Sequence, residues 1–311
     1  MELIRGVHNL RPRHAGCVAT IGNFDGLHRG HGAIVEAVME EARRRHEKAA
    51  VMLFEPQPVE FFAPDKAPPR LMTLRDKLRA LEQLEVDQVL CARFDDRFRS
   101  RSAHDFVQQL LVDGLGVRHL VVGDDFRFGQ DRAGDFDYLK TAGQESGFTV
   151  EDTPTCEHDG ARVSSTRIRE ALADGDLISA EALLGRPYSI SGRVRHGDEI
   201  GRTIDVPTAN LQPGHNRMAV AGVYAVTVTG GGLRDAPAVA SVGRRPTVAG
   251  RENRVEVHVL DFAGDLYEQH LKVTFRHFIR PEEKYDGLDA LKSAIRRDIE
   301  QARTYFANGH P

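Results

Sequence analysis

The chain has no tryptophan, six tyrosines and only three cysteines in 311 residues. An odd, sparse set of cysteines excludes a disulfide scaffold. Cys17, Cys91 and Cys156 read as small apolar residues of a protein kept in a reducing compartment. No run approaches the roughly 18 apolar residues that a membrane helix needs, so no membrane partner is expected. The opening MELIRGVHNL has no secretory apolar core, and the cytoplasm is the expected location. A formal net charge of −4 argues against a nucleic-acid partner held by counterion release, and there is no tryptophan and little tyrosine to stack bases. No glycine precedes Lys-Ser or Lys-Thr, so there is no Walker loop. GLGVRH (114–119) lies before its strand rather than after it, which removes the dinucleotide fingerprint. No internal repeat or low-complexity tract is visible.

What the chain does have is IGNFDGLHRGH, residues 21–31. The apolar run CVATI (17–21) ends in this glycine-rich turn, and a helical pattern begins near Gly30 with Ile34, Val35 and Val38 at helical spacing. A strand, a pliable loop and a helix start together make an anion site, because the first N–H groups of a helix lack internal partners and the dipole favours negative charge. His28 and His31 are three apart and share one side of the turn. Gly26 and Gly30 let the backbone approach a ligand. A zinc pair is disfavoured, since the metalloprotease pattern places its histidines four apart around a glutamate.

Further along, AAVMLF (49–54), QVLCA (88–92), RHLVVG (118–123) and GFTVED (147–152) read as strands. Helical patterns lie between them, at 73–84 with Thr73 as N-cap and at 103–112. Five strands alternating with helices predict a doubly wound α/β sheet, whose ligands bind outside the carboxyl ends of the strands. EPQPVEFFAPDKAPPR (55–70) carries five prolines, so a long loop without a regular element is expected. GDDFRFG (123–129) follows a strand, and Phe126 or Phe128 is a candidate to stack on a flat ring, with a hydrophobic turn as the plain alternative. In VSSTRIREAL (163–172) the hydroxyls of Ser164, Ser165 and Thr166 would cap a helix. Arg167 and Arg169 in the first turn oppose the dipole, a conflict that a bound anion relieves.

Beyond LGRPYSISGRV (184–194) the helical period stops. VYAVTV (223–228), AVASV (238–242), RVEVHVL (254–260) and LKVTFRHFI (271–279) are strands separated by turn chemistry, which predicts an all-β barrel or sandwich. A helix over 287–307 closes the chain. The domain boundary is expected near Gly185. In RVEVHVL, period two puts Glu256 and His258 on the face opposite Val255, Val257 and Val259. RHGDEIGRTIDVPTANL (195–211) reads as an irregular loop in which Thr208 and Asn210 carry oxygens of the kind that bind Mg²⁺.

HRGH resembles the HxGH signature of nucleotidyltransferases. GNFDGLHRGH, with FEPQP, GDDFRFG, SSTRIR, GRTIDVPTANL, SVGRRPTV, EVHVLDFAGDLY and the closing helix in that order, resembles the bacterial bifunctional riboflavin kinase/FAD synthetase family over nearly the whole chain. The resemblance implies a Rossmann-like nucleotidyltransferase domain at 1–185 and a six-stranded antiparallel β-barrel closed by a helix at 186–311. It implies phosphorylation of riboflavin to FMN in the barrel and adenylylation of FMN to FAD in the first domain, with ATP and Mg²⁺. His28, His31 and Glu256 would be catalytic. Gly22, Asn23, Phe24, Asp25, Gly30, Ser164, Thr166, Arg167, Gly201, Thr208 and Asn210 would bind ATP, the last two with the metal. Phe54, Pro56, Pro58, Phe62, Asp125, Phe128 and Arg245 would bind flavin. Asp205 and Arg244 stand where the family has smaller residues. The alternative is a single-activity nucleotidyltransferase with a non-catalytic flavin-binding barrel. The sequence leaves a homo-oligomer open.

Overall fold

The structure is a computed structural model. It describes residues 1–123, 125–195, 206–214, 217–247 and 250–309, with the side chains of 244–247 and 250–253 outside that description. Gly201 and Asp205, and the side chains of Arg244 and Arg245, therefore lie outside the described residues.

The chain forms two compact units, one holding 1–68 and 74–163, the other 69–73 and 164–311. In the first, strands β1 (Glu2–Arg5), β2 (Cys17–Ile21), β3 (Lys48–Glu55), β4 (Gln88–Arg93), β5 (Val117–Val122) and β6 (Thr149–Asp152) make one sheet in the order β1-β4-β3-β2-β5-β6. Every pairing is parallel. The helices are α1 (Arg29–Arg45), α2 (Pro58–Phe62), α3 (Leu74–Gln83), α4 (Asp96–Arg99), α5 (Ala103–Asp105), which runs on into a π-helical turn over Phe106–Val112, and α6 (Phe136–Ser146). All five residues of β2 are buried, which suits a strand covered on both faces. Val18 packs with Val38 and Ala42 of α1. Cys17, Ala19 and Ile21 belong to the core built around Phe106, Leu110 and Leu139. The chain leaves β2 outward through β3 and β4, then returns to β5 beside β2. The switch point therefore lies between the carboxyl ends of β2 and β5, where an open α/β sheet has its crevice. A two-stranded ribbon, β7 (Glu157–His158) and β8 (Ala161–Arg162), completes this unit.

The second unit opens with α7 (Ser165–Ala173) and α8 (Leu177–Leu184). Strands β9 (Ser189–Arg195), β10 (Ala209–Gln212), β11 (Gly222–Gly230), β12 (Leu233–Thr247), β13 (Gly250–Val259) and β14 (His270–Arg280) close into a barrel in the order β10-β13-β12-β11-β14-β9. Its pairings are antiparallel. Val255, Val257, Tyr224, Val226 and Phe275 are buried. The last helix, α9 (Leu288–Ala307), lays Ile299 and Ala302 on Val223, Ala225 and Val239 outside the barrel. The parallel sheet and the closed six-stranded barrel are the expected fold class.

Two expectations are corrected. The proline-rich stretch is not without a regular element: Pro58 starts α2, with Pro at the first helical position, where its missing N–H costs nothing. The stretch 195–211 is not wholly irregular, because β10 begins at Ala209 and pairs with both β9 and β13. All three cysteines are free; Cys17 is buried, whereas Cys91 is half-buried.

Candidate active sites

In the first unit, the loop after β2 is wound tightly. Gly22 N–H still donates to Met52 O at 3.1 Å, extending the ladder to β3. Phe24, Gly26 and Leu27 then take left-handed backbone with φ of 46°, 83° and 40°. Only Gly26 does so without steric cost. Phe24 and Leu27 are held there by burial of their side chains, the kind of strain that persists at functional sites. Asp25 is buried within the same turn.

His28 is the N-cap of α1, and its Nδ1 accepts the backbone N–H of His31 at 3.2 Å. That bond fixes the ring proton on Nε2, leaving Nε2–H as the donor. The two imidazoles stack at 3.6 Å between centroids, 14° from parallel. Phe24 tilts against His31 at 5.0 Å. A side chain at Gly30 would press on the His28 ring at 3.3 Å and come into ordinary contact with Cys156 at 3.6 Å. His31 Nδ1 is buried without a hydrogen-bond partner, a condition that calls for an explanation in a native structure. Burial, followed by the charges of His28, Lys77 and Arg162, pushes the His31 imidazole well below its ordinary value. The ring is neutral at physiological pH. The Nε2–H of His28 and the neutral ring of His31, together at a helix N-terminus, suit a phosphoryl group whose charge grows during transfer.

The carboxyl ends of β3, β4 and β5 carry rings. Phe54 packs edge-on against Phe94 and Phe98, at 5.9 and 5.5 Å. Phe61 and Phe62 of α2 continue the cluster, and the Arg99 guanidinium sits about 6 Å over both. Phe62 is 62% exposed. Pro56, after a cis peptide bond, and Pro58 carry the chain from β3 into α2. Phe128 is buried against Phe106 and Tyr138. Phe126, stacked on it at 5.6 Å, is the part-exposed member of the pair. Asp125 is exposed and pairs with Arg162 of β8 at 3.0 Å. Asn23 contributes its carbonyl to Lys77 of α3, a buried lysine that sequence reasoning missed.

Ser164, Thr166 and Arg167 open α7 in the second unit. Ser164 caps the helix by accepting the Arg167 N–H at 3.3 Å. Arg169 is turned to the Pro69 carbonyl. Thr166 is exposed.

In the barrel, Asn210 stands directly opposite Glu256 across β10 and β13, and Ser241 of β12 faces Glu256 from the other side. Residues directly opposite across a ladder share a face, so Asn210 and Glu256 lie on one side of the sheet, and Thr208, just before β10, lines a cavity with each. His258 Nδ1 donates to the Pro207 carbonyl at 2.8 Å, tying the PTAN segment to β13. Two cavities meet here. One, of about 260 Å³, lies between the strands and α9; Glu256, Ser241 and Arg254 line one wall and Leu291, Ile295 and Ile299 the other. The second, of about 320 Å³, is bounded by Val194, Asn210, Val257 and the loop through Phe262, Asp265 and Tyr267. Thr208 lines both. Arg254 pairs with Glu256, and Arg280 of β14 grips the buried Asp298 of α9 at the end of the first cavity. Neither arginine was singled out from the sequence. Among the described residues no cluster of His, Cys, Asp or Glu fits a protein-held metal.

The family model for FAD synthetase matches residues 10–167, and that for riboflavin kinase matches 184–306. The bifunctional riboflavin kinase/FMN adenylyltransferase of Escherichia coli is 54% identical over the whole of both chains. The chain belongs to this family. It carries both the FAD synthetase and the riboflavin kinase domains. The Pseudomonas fluorescens enzyme of the same description is 53% identical over 99% of this chain and 98% of its own. A solved structure described as a macrolide-efflux protein from Streptococcus pneumoniae shares the fold at a TM-score of 0.82 and 30% identity, covering 97% of this chain and 99% of that one. Among the described residues of this chain, no helix is long and apolar enough to cross a membrane.

Proposed function

We propose that residues 186–311 phosphorylate riboflavin and that residues 1–185 adenylylate the FMN so formed. In the barrel, the cavity under α9 takes the flavin, its apolar wall of Leu291, Ile295 and Ile299 matching a flat ring. The second cavity takes the nucleotide. The observation that carries this assignment is Thr208, the residue common to both cavities. Glu256 accepts the proton of the ribityl hydroxyl as its oxygen bonds to the γ-phosphorus and the bond to ADP breaks. Its Arg254 partner must yield for that hydroxyl to reach it. The Thr208 hydroxyl and Asn210 amide oxygen are hard donors that fit Mg²⁺ carried in by phosphates, which neutralises charge in the transfer. Gly201 and Arg245 keep the roles that the resemblance gives them, over nucleotide and at flavin.

In the first unit, an FMN phosphate oxygen attacks the α-phosphorus of ATP and pyrophosphate leaves. No protein nucleophile is needed. His28 Nε2–H and His31 Nδ1–H donate to the oxygens on which charge builds. The unpartnered His31 nitrogen carries this assignment. Gly22, Asn23, Phe24, Asp25 and Gly30 shape the loop. Phe54, Pro56, Pro58, Phe62, Asp125 and Phe128 are assigned to the flavin, and the exposed Phe62 ring supports this most directly. Ser164, Thr166 and Arg167 remain assigned to the triphosphate by resemblance. The test is chromatography of the flavins formed from riboflavin with excess ATP and Mg²⁺. FMN that rises and then gives way to FAD, with one pyrophosphate per FAD, is the expected course. FMN alone would favour a kinase without the second activity; FAD from supplied FMN alone would favour the single-activity alternative.

A further inference from the structure

Lys77 is 1% exposed. It lies on the apolar stripe of α3, between Leu74 and Leu81, where the helix faces the core. An ammonium is costly to bury and is retained only where partners compensate it. Its Nζ donates to the carbonyl of Asn23, in the loop between β2 and α1. That carbonyl immediately precedes the three left-handed residues Phe24, Gly26 and Leu27 and the cap His28. The helix α3 thus reaches across 54 residues of sequence to grip one peptide of the signature loop.

We propose that Lys77 is the positioning residue of the adenylylation site: by holding the Asn23 carbonyl it fixes the strained turn that aims the stacked imidazoles of His28 and His31. A neutral side chain of the same length would fill the space and remove this bond to the loop. Over-determination of this kind is what a turn with non-glycine residues at positive φ requires. The lysine has a second effect through its charge. Burial acts first on His31, followed by the electrostatic effects of His28 on its own turn, Lys77 on α3 and Arg162 on β8, all in the direction that keeps the ring neutral. Lys77 need not touch substrate for either effect.

The inference rests on the assignment of FMN adenylylation to this unit, so wild-type chain that makes no FAD from FMN would refute that assignment rather than the role of Lys77. Given an active wild type, the test compares Lys77→Met and Lys77→Arg in the full chain, with riboflavin phosphorylation as the internal reference. Lys77→Met is expected to lower kcat for FAD formation at least tenfold, with KM for FMN and ATP within threefold and FMN formation within twofold of wild type. The acid limb of its adenylylation profile should move to higher pH, because a positive neighbour of His31 has been removed. Partial unfolding lowers the rate but does not move that limb. Lys77→Arg keeps the charge, so its limb should stay in place while the bulkier fork still reduces kcat. Should Lys77→Met prove too unstable to assay, the arginine variant decides alone. Wild-type kcat in either variant, or a loss of rate in Lys77→Met with the acid limb unmoved, overturns the proposal.

Discussion

Arg280 of β14 holds Asp298 of α9 through two parallel hydrogen bonds, Nε to Oδ1 at 2.8 Å and Nη2 to Oδ2 at 2.7 Å. Asp298 is 4% exposed, and the pair fastens the helix to the barrel beside the cavity assigned to flavin. Asp298 is buried, whereas Arg280 is part-exposed and also reaches Glu283 at 3.9 Å and the Pro281 carbonyl at 3.1 Å, so removing Asp298 costs the two charge-assisted hydrogen bonds, about 1.5–3 kcal/mol. Asp298→Ala should therefore lower the unfolding free energy of the second unit, read from denaturant titration, by that order and raise KM for riboflavin, while FAD formation from supplied FMN continues. Stability within about 0.5 kcal/mol of wild type, the usual range for a surface substitution, would show that α9 docks without the pair.

The neutral state of His31 sets a pH dependence. Its folded value lies well below the ordinary 6.5, chiefly because of burial. The unfolded chain binds a proton there first, so the stability contributed by the neutral ring is full above about 6.5 and is lost progressively as the pH falls from 6.5 towards the folded value. Adenylylation should hold its rate through pH 7 and fall only on the acid side of 6.5. Parallel pH profiles of FAD formation and of thermal midpoint check this. An adenylylation limb centred at or above 7 would mean that the ring is exposed and charged.

His28 serves as helix cap and as donor, and the two roles are separable. Asparagine is among the best N-caps, whereas alanine there costs about 0.5–2 kcal/mol. His28→Asn should keep the thermal midpoint close to wild type yet lower FAD formation by a factor on the order of 100, the scale of one lost transition-state donor. His28→Ala should lose both. Equal activity in the asparagine variant would reduce the histidine to a cap.

Much of this was legible from residues. Strands β2 to β5 announce themselves as apolar runs, and VYAVTV, AVASV and RVEVHVL alternate clearly enough to mark the barrel. β1 and β10 did not. ELIR and ANLQ are four residues each, too short for a period to show, and their pairing is decided by partners elsewhere: β4 for one, β9 and β13 for the other. α2 was hidden because proline was read as a breaker, although at the first helical position it has no bond to break. At the sites, His28, His31, Thr208, Asn210 and Glu256 were found because their spacing itself carries chemistry. Lys77, Arg254 and the Arg280–Asp298 pair were not. In a sequence each looks like an ordinary surface charge, and only the fold shows Lys77 inside the core or Asp298 facing the barrel. The position of Lys77 on the Leu74–Leu78–Leu81 stripe was the one signal that could have raised it.

Glu256 should be needed for one reaction only. Replacing it with glutamine removes the proton acceptor but keeps an amide opposite Asn210. Glu256→Gln is expected to lower FMN formation by a factor on the order of 100 or more, with adenylylation of supplied FMN unchanged. Chromatography of the two reactions run separately reads this. A wild-type rate of FMN formation would move the base elsewhere.

Two pockets with one reaction each are tested most directly by complementation. Riboflavin and excess ATP are given to Glu256→Gln alone, to His28→Asn alone and to an equal mixture. Over the time in which wild type converts its riboflavin, the first should leave most of it unreacted, the second should accumulate FMN, and the mixture should yield FAD. Either substitution abolishing both reactions when each is assayed with its own substrate would contradict the account.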